Sequence, residues 1–137
     1  MRRRIQLILS SRFTAKAWTI FIFILMAIPG KMLPNENKTF IPNLDKLVHI
    51  TLFGGFVFLW SYYYATKQEK NFSLNKRFIS FLIIACLYGI ATELMQKYFI
   101  PNRDYDIYDI AADTTGAIIG YIITRLKFPG IKPANPS

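Results

Sequence analysis

Cysteine is almost missing from this chain. Cys86 stands alone, which excludes an intramolecular disulfide framework, and one cysteine with one histidine, His49, is too few ligands for a structural zinc site. Acids are scarce too, 8 Asp and Glu against 17 Lys and Arg, and charged residues of both signs reach only 18% where an ordinary soluble domain carries about 25%. Apolar residues at 53% and aromatics at 16% exclude a disordered or low-complexity chain. A length of 137 residues fits one domain, residues 1–137. The formal charge of +9 would suit nucleic acid if the cations formed a stripe. They flank apolar runs instead, so no nucleic-acid partner is expected.

What is present in quantity is long apolar sequence. Ala17–Gly30 carries no charge and no polar face apart from Thr19, and a helix apolar all round is a membrane span or the centre of a large protein. This chain is too small for the second. The run reaches back toward Phe13 with Arg12 and Lys16 snorkelling, and Pro29, Gly30 and Pro34 end it. Leu47–Thr66 is a second span, closed by Trp60, Tyr62, Tyr63 and Tyr64, the rings of a membrane-interface belt. The third and fourth runs reach spanning length only by taking in Glu93 and Gln96, and Asp109 and Asp113. The sequence therefore predicts an all-α, four-helix transmembrane bundle with spans at about 13–30, 47–66, 78–99 and 107–126. A cleaved signal peptide is the rival reading of the first run, but AIPGK makes a poor cleavage site. The tail FPGIKPANPS reads as a short disordered end.

Cation placement orients the bundle. Twelve of the 17 Lys and Arg fall in the N-terminal segment, the loop after span 2 and the tail; five fall in the other two loops. The positive-inside rule then puts both termini in the cytoplasm. It also brings Asp45, Lys46 and His49, Glu93, Gln96 and Lys97, and Asp106, Asp109 and Asp113 to one depth at the extracytoplasmic end.

Spacing supports a constellation there. Asp45 and His49 are four apart, Glu93 and Gln96 three, and Asp106, Asp109 and Asp113 follow at three and four, so each group shares a helix face. An acid at membrane depth costs on the order of 3 kcal/mol by insertion scales unless paired, protonated or wet. Glu93, Asp109 and Asp113 should therefore face inward, toward His49, Arg103, Lys46 or water. The expected ligand-binding set is Asp45, Lys46, His49, Glu93, Gln96, Arg103, Asp109 and Asp113, with His49, Glu93 and Asp109 as acid-base candidates. Arg103 has the planar fork to clamp a phosphate or carboxylate, or to neutralise Asp106 or Asp109. The bland alternative is a hydrogen-bonded network that only holds the bundle together. No cofactor is expected, and no metal, because nothing in the spacing is a metal motif. Gly54 and Gly55 read as close helix contacts, Cys86 as filler, and Gly116 with Gly120 as one contact face for a homo-oligomer.

Together, DKLVHITLF and ELMQKYFIPNRDYDIYDIAADTTGAIIG resemble the VanZ-like family of small integral membrane proteins. The matching residues are Asp45, Lys46, His49 and Phe53, then Glu93, Gln96, Arg103, Asp109 and Gly116. Where the family often has Asn four residues after the Asp, this sequence has Asp113. The resemblance implies a four-span envelope protein of the bacterial inner membrane. With the outward-facing polar site, the expected partner is a membrane lipid or cell-wall precursor. It also implies a link to resistance against the lipoglycopeptide teicoplanin, the association of the founding member. Two rivals remain: a membrane-embedded acid-base enzyme of lipid or cell-wall metabolism, and a small proton or ion transporter.

Overall fold

The computed structural model describes residues 2–32, 43–67 and 74–129, and every regular element among them is helical. The helices are α1 (Arg2–Leu9), α2 (Arg12–Met26), α3 (Leu44–Lys67), α4 (Leu74–Phe99) and α5 (Ile107–Lys127), with a short 3-10 turn at Gly30–Met32. The expected tail and the cations Lys38, Lys70 and Lys132 lie outside the described residues.

The all-α expectation holds, but the α-helices among the described residues number five. The extra one is α1, a two-turn piece carrying the Arg triplet, in a segment taken for a plain extramembrane end. Ser10 breaks it from α2, and Ser11 caps α2 by accepting from the Phe13 N–H. At its other end α2 stops at Met26, short of the expected Gly30. Pro29 has no N–H to give and disfavours helix at the residue before it, and the Ala27 N–H already turns back to Phe23 and Ile24. Asn43 and Asn102 flank the loops in left-handed backbone, at φ 55° and 59°, a conformation asparagine tolerates better than most residues.

Among the described residues two helices, α3 and the Lys76–Phe99 part of α4, are long and apolar enough to cross a membrane. The outer face of the bundle is apolar: Ile83, Leu87 and Leu94 of α4 stand exposed, as do Ile118, Ile122 and Leu126 of α5 and Ile20 and Ile24 of α2. Exposed apolar faces repeated around a bundle mark contact with something other than water.

Inside, Phe53, Phe56 and Val57 of α3 pack with Ile22 and Met26 of α2, Ala85 of α4 and Ala117 of α5. The most extensive helix pair is α3 with α5. Glycine makes it so: a Cβ on Gly116 would run into the Ile50 carbonyl and one on Gly120 into the Gly54 carbonyl. Gly116 and Gly120 are buried against α3 of their own chain. Gly54 and Gly55 do mark close contacts, with Gly116 and with Trp18.

The aromatic belt also needs revision. Tyr62 is buried, with its ring against Phe58 and Phe128, and Trp60 turns its N–H inward to the Thr19 hydroxyl at 3.1 Å. Thr19, the lone polar residue of its run, is a junction. Its carbonyl accepts from the Tyr88 hydroxyl at 3.1 Å, while one residue away the Trp18 N–H donates to the Leu52 carbonyl at 2.9 Å. These bonds tie α2 to α3 and α4.

Candidate functional site

The start of α3, the end of α4 and the start of α5 meet at one end of the bundle, and the polar residues of all three converge there. Helix ends explain part of this. Asp45 lies in the first turn of α3 and Asp106 caps α5, accepting from the Tyr108 N–H at 2.8 Å, both where a carboxylate meets unpaired N–H groups and the positive end of the helix dipole.

Lys46 is the hub. Its ammonium donates to Asp45 at 2.9 Å, Asp106 at 2.8 Å and Asp109 at 2.7 Å, joining α3 to α5 across the loop. The Lys46 ammonium beside it, with the Tyr108 N–H, holds the Asp106 carboxyl below the usual carboxylate range. Arg103, read from sequence as either an anion clamp or a neutraliser of these acids, is half-buried, makes no ion pair among the described residues and keeps an unpartnered Nε.

Behind Lys46 the network is drier. His49 Nδ1 lies 2.8 Å from Asp113 Oδ1, a hydrogen bond between residues 3% and 1% exposed. Its other nitrogen, Nε2, lies 3.8 Å from Asp109 Oδ2, too far for a hydrogen bond. Glu93, wholly buried on α4, accepts from the Asp106 backbone N–H through Oε2 at 3.1 Å. Glu93 Oε1 and Asp113 Oδ2 are buried without a hydrogen-bond partner. Gly89 makes room for Asp113, since a Cβ there would stand 2.7 Å from Oδ2.

Seven of the eight expected ligand-binding residues thus share one end of the bundle through direct contacts or neighbouring turns, but they do different work. Asp45, Lys46, His49, Glu93, Asp109 and Asp113 form the connected cluster. Gln96, one turn from Glu93, points elsewhere: its amide N–H donates to the Met26 carbonyl at 3.0 Å, satisfying an orphan at the end of α2. Arg103 stands in the loop before Asp106, outside the bonded network. Sequence reasoning missed the backbone bond from Asp106 to Glu93, which no side-chain pattern announces.

By ligand chemistry two groups of three could hold a cation. His49, Glu93 and Asp109, all buried, each offer one ligand atom within 4.8 Å of the others, and Asp45, Asp106 and Asp109 do the same around Lys46.

A family model described as VanZ/LLP1 matches residues 3–128. No curated protein and no solved structure matches the chain.

Proposed function

Because the chain belongs to the VanZ/LLP1 family, we propose that it is a multi-pass protein of the bacterial inner membrane, both termini cytoplasmic, whose polar cluster faces outward and engages the polar part of an envelope amphiphile. The candidate ligands share a chemistry: a lipid headgroup, a lipid-linked cell-wall precursor, or a lipoglycopeptide such as teicoplanin, each a greasy anchor with a polar head. In this reading α2 and α5 cross the membrane beside α3 and α4, and the domain comprises the whole of residues 1–137.

The observation that carries the proposal is the unfinished bonding of the cluster. A network that existed only to hold helices together would satisfy its buried groups, because each orphan costs about 1 to 3 kcal/mol. Glu93 Oε1 and Asp113 Oδ2 are left over at the polar end of the bundle, as groups kept for a partner would be. Arg103, beside the cluster in sequence and free of any ion pair among the described residues, supplies a guanidinium for an anionic headgroup.

Lipid analysis of the protein extracted with its native membrane tests this. One headgroup or precursor class should be enriched over bulk membrane with wild type, and the enrichment should vanish with Glu93→Gln and weaken with Arg103→Gln. Equal lipid profiles for wild type and folded Glu93→Gln would reject the proposal.

A further inference from the structure

The geometry points to a divalent-cation site at His49, Glu93 and Asp109, and we propose that it holds one transition-metal ion of the zinc or manganese kind. It gives the Glu93 Oε1 orphan to the ion, leaving Asp113 Oδ2 and the ion's open position to the envelope ligand, and does not depend on which such ligand the protein engages.

The residue set is right for such an ion. One imidazole and two carboxylates suit zinc or manganese better than they suit calcium or a soft metal. The three side chains come from three helices, are 3%, 0% and 6% exposed, and bring one ligand atom each within 4.8 Å of the other two. Two ligand atoms on a common ion, at bonds of about 2.0 to 2.2 Å, stand about 3 to 4 Å apart. The 3.8 Å between His49 Nε2 and Asp109 Oδ2, too long for a hydrogen bond, falls in that range.

The ligands are also held from behind. Each has one polar atom tied to a neighbour and a second that makes no hydrogen bond. Asp113 engages His49 Nδ1 at 2.8 Å and so presents Nε2; Lys46 engages Asp109 Oδ1 at 2.7 Å, turning Oδ2 toward the imidazole; the Asp106 N–H engages Glu93 Oε2 at 3.1 Å and leaves Oε1 unpartnered. A carboxylate behind a metal-binding histidine and a bonded group behind each metal-binding acid are what hold such ligands in register.

Charge balance separates this group from its neighbour. Asp45, Asp106 and Asp109 already surround a cation, the Lys46 ammonium. Glu93 has no cationic side chain in ion-pair contact among the described residues and is fully buried. A dipositive ion compensates the charge that Lys46 does not reach. Three protein ligands leave at least one coordination position for water or an anionic oxygen.

The test uses the full chain, without a polyhistidine tag, in detergent. After chelator treatment, zinc and then manganese are titrated calorimetrically, and imidazole nitrogen NMR follows His49, which is the only histidine. About one equivalent of zinc or manganese should bind per chain. Glu93→Gln and Asp109→Asn should each weaken it about 100-fold or more, and Asp113→Asn about tenfold. Zinc should move the Nε2 resonance and leave Nδ1 protonated. The proposal fails if Nε2 is unmoved at saturating zinc, a result that needs no variant to fold. It fails equally if folded Glu93→Gln and Asp109→Asn bind as wild type does. Headgroup enrichment is measured on the same preparations: metal binding without enrichment rejects only the envelope-ligand proposal, and enrichment without metal binding rejects only this one.

Discussion

His49 and Asp113, 64 positions apart on different helices, share a 2.8 Å hydrogen bond that almost no solvent reaches. The bond fixes which way the single imidazole faces, since Nδ1 is committed to Asp113 and Nε2 is left to look toward Asp109.

Asp113→Asn keeps an acceptor for the His49 Nδ1–H and replaces the unpartnered oxygen. Thermal stability in detergent should stay within about 1 kcal/mol of wild type, whereas Asp113→Ala, which orphans the imidazole, should cost about 1 to 3 kcal/mol. Equal losses would show that the two residues do not depend on this bond.

Asp106 separates cap from ion pair. Asparagine caps a helix about as well as aspartate, so Asp106→Asn keeps the start of α5 and removes only the pairing with Lys46. The folded-state pKa of Asp106 is depressed, so its ionised form adds stability that is present above its unfolded value, about 4, and is lost as pH falls through the lower folded value. Wild type should therefore be the more stable protein near neutral pH, with the gap to Asp106→Asn closing below about pH 4. Thermal unfolding across that pH range reads it directly; a gap that widens in acid would contradict the pairing.

Gly116→Ala and Gly120→Ala should each destabilise by about 1 to 3 kcal/mol, because the new methyl meets α3 backbone carbonyls that cannot swing aside. Ile119→Ala, on the exposed face of α5, should cost far less. Denaturation in mild detergent compares the three.

In the proposed topology, a cysteine at Asp104 should react with an impermeant thiol reagent in intact cells and one at Pro129 should not, both in a Cys86→Ala background. Both native positions are exposed. The reverse pattern would turn the cluster toward the cytoplasm.

The cluster was legible because Glu93, Asp109 and Asp113 interrupt apolar runs, where an acid is costly enough to require a reason. Antiparallel succession of the runs then placed them at one end with Lys46 and His49. The partner choices were not legible. Lys46 rather than Arg103 neutralises Asp106 and Asp109 because α3 starts at Leu44, three residues before the apolar run, and carries the ammonium on its first turn. Gln96 looked like a member of the cluster by spacing, but its bond is to the end of α2, a contact between segments 70 positions apart. The metal-ligand set shows no motif since its three residues come from three helices, and α1 was hidden by three arginines in a row.

The brevity of α2 matters beyond packing. Its 15 residues span about 22 Å, against about 30 Å of hydrocarbon in a typical bilayer. Gln96 holds its last turn at Met26, so the shortfall cannot be hidden by letting the helix slide along its neighbours. In the proposed four-span bundle, snorkelling of Arg12 and Lys16 takes up part of that length and thinning of the bilayer next to α2 the rest, at fractions of a kcal/mol per Å. Since Gln96 lies one turn from Glu93, the dimple would draw lipid headgroups down toward the cluster, giving this flank of the protein a lateral entrance that the longer helices α3 and α4 would otherwise wall off.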